Sequence, residues 1–294
     1  MRLYTALVEG RETVLVSYDG GVTAVPVKQL GFDFDDMNSL ILALGENGAE
    51  ELKKAASLKL AGMPLEGVKL CSPIPRPLKD IVCLGVNFAE HANDAKGFTD
   101  DAAASGTSAA TIYFAKHVKD AIGPEDAIPS HSDIVESLDY EVELGVILGK
   151  EASKVKKEDA FDYVFGYTVF NDVSARNLQF KHAQWFLGKS LDGFTAMGPC
   201  IVTPDELGDP AKLGIRSIIN GEVRQNSNTS VMIQTIEGAI EELSAGMTLE
   251  AGTIIAMGTP AGVGMGQNPP AFLKHGDEVV CEIEKIGKLV NTVD

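Results

Sequence analysis

Asp139-Tyr140-Glu141-Val142-Glu143-Leu144-Gly145-Val146-Ile147-Leu148-Gly149 is the stretch whose reading decides the fold. Val142, Leu144, Val146 and Leu148 alternate with Glu141, Glu143, Gly145 and Ile147, the period of a β-strand. That period sets Glu141 and Glu143 side by side on one face, where two carboxylates repel unless a cation or hydrogen-bond donors compensate. A second apolar run, Val164 to Phe170, ends at Asn171-Asp172, so Asp172 is expected where a strand gives way to a loop or helix. Three carboxylates converging from two strands suit a hard divalent cation, Mg²⁺, Mn²⁺ or Ca²⁺, with positions left for water and substrate. The competing reading is an acidic pair on a solvated strand face, which is common.

Working outward, the 294 residues allow one large or two modest domains around a substantial core. Residues 1 to about 30 read as short strands, 35–43 and 49–60 as helices, together a small N-terminal α/β domain over 1–72. Pro73-Ile74-Pro75-Arg76-Pro77 fixes an extended connection into a second domain, 73–294. There, Ile81 to Gly85 reads as a buried strand, Lys154 to Asp162 as an amphipathic helical connection and Ile233 to Ser244 as a helix. Asn220-Gly221 is a hairpin turn, and Arg224 to Ser230 reads as a polar loop. Many short strands, few helices and no regular βα alternation place the chain in the α+β class and exclude a doubly wound sheet. Glycines at 258, 262, 264 and 266 allow close backbone approach to a ligand. With no Gly-Lys-Ser/Thr ending they do not form a phosphate loop.

A formal net charge of −17 excludes a nucleic-acid surface. No apolar run approaches the ~20 residues of a membrane span. Met1 to Thr5 leads directly into a strand pattern, so a cytoplasmic protein is expected, and Cys71, Cys83, Cys200 and Cys281 are expected as free thiols.

Four motifs, in order, carry a resemblance: Asp139-Tyr-Glu-Val-Glu-Leu144, Asn171-Asp-Val-Ser-Ala-Arg176, Lys189-Ser-Leu-Asp-Gly-Phe194 and Gly258-Thr-Pro-Ala-Gly-Val-Gly264. Together they resemble the fumarylacetoacetate hydrolase family, over roughly residues 73–294. The resemblance implies a mixed β-roll or sandwich around a metal site, and homodimers. It implies Glu141, Glu143 and Asp172 as ligands of Mg²⁺ or Mn²⁺, with Lys189 stabilising developing negative charge. Lys116, Arg176, Gln179 and Thr259 would bind substrate, Thr259 by helping to hold a carboxylate. His91 would activate water, oriented by Asp94, where relatives carry a glutamate one methylene longer. The expected activity is metal-dependent hydrolysis of a C–C bond in a small β-diketo or 2-oxo acid of the acylpyruvate or fumarylpyruvate type. A decarboxylase or tautomerase of a 2-oxo diacid such as oxaloacetate passes through the same enolate and needs no attacking water, so the shorter Asp94 moves weight towards it. A non-catalytic metal-binding protein that retains the fold is the reading from outside enzymology. Against it, a buried negative cluster is costly without a job.

Overall fold

The computed structural model describes residues 1–44, 48–58, 60–93, 110–182 and 184–294. Asp94, and with it the second half of the expected His91–Asp94 pair, lies outside them.

The strand Val142–Leu148 is central in a ten-stranded sheet. It pairs antiparallel with Val164–Asp172 on one side and Ile254–Ala256 on the other. Beyond Ile254–Ala256 lie Ile81–Gly85, which pairs parallel to it, and Ile112–Lys116. Beyond Val164–Asp172 lies Thr195–Val202, followed by Arg2–Val8, Arg11–Ser17, Thr23–Pro26 and Met63–Pro64. The N-terminal strands therefore extend the same sheet, through the pairing of Arg2 and Leu3 with Val202 and Ile201. The proline-rich connection is packed rather than free: Pro73, Ile74 and Pro75 are buried, and the Thr5 hydroxyl donates to the Pro73 carbonyl at 2.8 Å. A second sheet of five strands runs in the order Glu222–Asn228, Gly214–Ile219, Glu278–Ile283, Gly287–Val293, Ala127–Ile128. Its middle strands pack on the central strands of the first, giving a sandwich of α+β class.

Both faces of the central strand are covered, as its unbroken burial requires. Val142, Leu144, Val146 and Leu148 enter the core between the sheets with Ile215, Val279, Cys281 and Leu289. Ile147 enters a second core on the opposite face with Phe165, Phe170, Met197 and residues of the helix Met37–Leu44. The period-2 reading thus holds, but the face that carries Glu141 and Glu143 is not solvated, and the exposed acidic pair is excluded.

Local differences have local causes. Residues 154–162 do not form an α-helix; a 3-10 helix spans Lys157–Tyr163. It has no side-chain cap and buries only Ala160, so no apolar face rewards a longer helix. The expected loop at 224–230 is largely strand, paired with Gly214–Ile219 across the Asn220-Gly221 turn. The four cysteines are free, and Cys83, Cys200 and Cys281 are buried.

Candidate metal and 2-oxo acid site

Strand register brings the acids together. Glu143 lies opposite Phe170, and Asp172, two residues beyond Phe170, shares that face. Glu141 sits just ahead of the central strand, held by its N–H to Asn171 Oδ1 (3.0 Å) and by its carbonyl, which accepts from the Asp172 N–H (2.9 Å). Glu141, Glu143 and Asp172 are all buried, and one oxygen from each lies within 4.8 Å of the others.

Cations surround two of the three acids. Lys189 Nζ donates to Glu141 Oε2 at 2.7 Å and to Asp172 Oδ2 at 2.8 Å. Lys116 Nζ donates to Asp172 Oδ1 at 2.5 Å and to the Val173 carbonyl at 2.9 Å. Arg176 Nη1 is 2.6 Å from Glu141 Oε1. Glu143 has instead the Gly258 N–H, 2.8 Å from Oε2. Burial penalises the charge on Glu141, but Lys189, Arg176 and His91 outweigh it and bring the carboxyl down to about 2. Burial, with Asp172 and Glu141 adding to it, pushes the Glu143 carboxyl well above the usual range. Burial opposes the charge on Lys189 as well, but Asp172 and Glu141 keep its ammonium pKa raised. Lys116 is lowered, by burial first and by the nearby Lys189, against the pull of Asp172.

The donor set passes the test for a hard cation. Among the described residues, Asp139, Glu141, Glu143 and Asp172 face Lys116, Arg176 and Lys189, four acids against three bases, and Glu143 is the acid without an ion pair. All-oxygen ligands from carboxylates are what Mg²⁺ and Mn²⁺ take. A divalent ion beside Glu143 would offset the burial and like-charge repulsion that raise its carboxyl.

Sequence reasoning missed a supporting set beneath the site. Asp139 accepts from the N–H groups of Gly264 (2.6 Å) and Met265 (3.0 Å) and from Arg176 Nε (2.8 Å). The glycine-rich segment thus holds an internal carboxylate, which in turn fixes Arg176. Gln225, within the expected polar loop, is fully buried; its Nε2 donates to Thr259 Oγ1 (2.7 Å) and its Oε1 accepts from the Val142 N–H (3.2 Å). Its signal was a residue with both donor and acceptor set between apolar strands, visible only once those strands are paired. Gly258 has φ +83°, and a Cβ there would lie 2.7 Å from Asn87 Cβ. Only glycine brings its N–H to Glu143 while Asn87 donates to the Met257 carbonyl at 2.8 Å.

A cleft opens over Glu141 and Glu143. His91, in the 3-10 helix Ala89–Asn93, lines it and is buried, as do Arg176, Gln179, Lys189 and Thr259. Arg176 Nη1 also donates to Gln179 Oε1 at 2.9 Å, while Nη2 is buried without a hydrogen-bond partner among the described residues. Two of the expected side chains also tie into the scaffold. Lys116 is fully buried, is absent from the cleft wall and is spent on Asp172 and Val173. The Thr259 hydroxyl donates to the Val142 carbonyl at 2.9 Å while accepting from Gln225. Its one proton is therefore committed to the central strand.

The paired central strands of the sandwich thus carry three buried carboxylates that could hold a divalent cation, with lysine and arginine around them. The family profile for the fumarylacetoacetate (FAA) hydrolase C-terminal region matches residues 80–294, and the chain belongs to this family. It is 44% identical over 229 residues to the oxaloacetate tautomerase YisK of Bacillus subtilis, covering 78% of this chain and 74% of that one. A fumarylacetoacetate hydrolase from Exiguobacterium antarcticum superposes with a TM-score of 0.81 at 34% identity, over 100% of this chain and 99% of the other. A maleylpyruvate hydrolase from Sphingobium sp. SYK-6, solved with manganese(II) and pyruvate, superposes with a TM-score of 0.76 at 29% identity, over 100% and 98%. No helix among the described residues is long and apolar enough to cross a membrane.

Proposed function

We propose that this protein is a divalent-metal-dependent enzyme that interconverts the enol and keto forms of a short 2-oxo diacid of the oxaloacetate type. The observation that carries the reading is the placement of Lys189, a buried ammonium shared between Glu141 and Asp172 at the floor of the cleft. A cation held by Glu141, Glu143 and Asp172 would supply Lewis acidity, polarising adjacent oxygens of the acid and favouring its enolate. Lys189 stabilises the negative charge that grows on oxygen as the C3 proton leaves, in a site from which much water is excluded. Arg176, rigidly oriented by Asp139, offers its unpaired Nη2 to a substrate carboxylate. His91 faces the cleft as a group able to carry the proton between carbon and solvent. The 44% identity to an oxaloacetate tautomerase supports this reaction.

The second reading, hydrolysis of an acylpyruvate C–C bond, is favoured by His91. The same imidazole can take a proton from water as the water attacks the second carbonyl. One experiment separates the two. The Mn²⁺-loaded protein is given enol-oxaloacetate and a panel of 3-acylpyruvates, with and without chelator, and the products are identified by NMR. Tautomerisation should be metal-dependent and faster than any C–C cleavage. Cleavage of an acylpyruvate with oxaloacetate untouched would establish the hydrolase reading instead.

A further inference from the structure

The cleft wall carries two kinds of side chain: Arg176, Gln179, His91, Glu141 and Glu143 line it, and so do Leu84, Gly85, Phe114 and Trp185. Trp185 is the only tryptophan in the chain and is half-buried in this wall. Two contacts fix its ring. It stands edge-on to Phe114, with centroids 5.3 Å apart and planes at 70°. It lies so close to Gly85 that a Cβ there would be 2.6 Å from the indole Cζ3. Its carbonyl accepts from the Lys189 N–H at 3.2 Å, on the short helix Phe186–Lys189. On the other side Lys189 Nζ sits 5.3 Å from the Phe114 ring centroid, so Phe114 is packed between the indole and the ammonium.

We propose that Trp185 is the specificity-determining residue that limits the length of the acid chain this site accepts. The proposal rests on the 2-oxo acid reading above. A 2-oxo acid with its oxygens towards Lys189 and the acids must run its chain along the Phe114–Trp185 wall or away from it. An aromatic ring backed by a glycine cannot retreat towards that backbone, and the edge-on contact blocks rotation towards Phe114. Four-carbon diacids end before this wall, and chains extended by one or two methylenes meet it. A pocket that excludes or admits a single methylene discriminates by about 10–200-fold.

The test uses the Mn²⁺-loaded full chain, oxaloacetate and its two-methylene homologue 2-oxoadipate. Binding of each is measured by calorimetry, and enolisation by exchange of C3 protons with D₂O followed by ¹H NMR. Wild type should favour oxaloacetate by at least about tenfold in both readouts. Trp185→Ala should shift the ratio towards 2-oxoadipate by about tenfold or more, Trp185→Phe by less, with Mn²⁺ affinity unchanged. Because Trp185 is half-exposed, the phenylalanine variant serves if the alanine variant is unstable. An unchanged ratio in both variants, or a wild type that binds neither acid, would overturn the proposal. Binding with the predicted ratios but no C3 exchange would sustain the Trp185 assignment and instead refute the proposed reaction.

Discussion

Replacing Glu143 by glutamine tests whether the three acids are a metal centre or a costly internal ion network. Glu143 is buried with Asp172 and Glu141 against it, one backbone N–H for it, and its carboxyl raised well above the ordinary value. A carboxyl with a raised folded-state pKa gives the folded protein extra stability only below the unfolded value. That contribution is lost as pH rises through the folded value. The metal-free wild type should therefore lose stability relative to Glu143→Gln as pH increases from about 4.5. At neutral pH the variant should melt higher, by the amount typical of relieving one unfavourable site, about 0.5–2 kcal/mol. Added metal should reverse the order. A cation at 100 times its dissociation constant stabilises the protein that binds it by about 2.7 kcal/mol. For a chain of this size that is a rise of about 4 °C. Glu143→Gln, with one ligand lost, should show little of it. Scanning calorimetry with chelator and with Mn²⁺, between pH 5 and 8, reads all of these quantities. A variant that keeps the full Mn²⁺ shift, or a wild type that shows none at any pH, would refute the reasoning.

Lys189→Ala should abolish turnover of any 2-oxo acid, because it removes the ammonium shared by Glu141 and Asp172; steady-state kinetics with product NMR checks this. His91→Gln should cost acylpyruvate cleavage about 10²–10⁴-fold and oxaloacetate tautomerisation far less, read by assaying both substrates on one preparation. Gly258→Ala should lower stability by more than about 1 kcal/mol, and also weaken Mn²⁺ binding, since its φ is +83° and its N–H holds Glu143; denaturation and metal titration measure the two effects. Leu144→Ala, in the core between the sheets, should cost about 2–5 kcal/mol and leave Mn²⁺ affinity in the surviving folded protein unchanged.

The strand that carries Glu141 and Glu143 was legible because period 2 survives in a strand buried on both faces, provided one face keeps its acids. That both faces were covered was not legible. The covering elements, Met37–Leu44 and the five-stranded sheet, come from distant parts of the chain. The same limit explains Asp139, Gln225 and Lys116. Each is a polar residue whose role is set by a partner between 34 and 126 residues away, as in Lys116 to Asp172, Gln225 to Thr259 and Asp139 to Met265. Lys116 and Thr259, expected to contact substrate, also use donors on the scaffold. The proline-rich segment at 73–77 has the composition of an extended connection; its contact with Thr5, and the pairing of Arg2 and Leu3 with Val202 and Ile201, depend on residues far along the chain that composition does not reveal.

The most direct measurement is anomalous diffraction from a crystal soaked with Mn²⁺ and oxalate, a non-reactive mimic of a 2-oxo acid head group. A single manganese peak should appear with an oxygen from each of Glu141, Glu143 and Asp172 at about 2.0–2.6 Å, both oxalate oxygens on its open side, and Arg176 Nη2 turned to the oxalate. A peak away from these three carboxylates, or no peak with Lys189 still bridging Glu141 and Asp172, would contradict the metal centre on which the proposed chemistry depends.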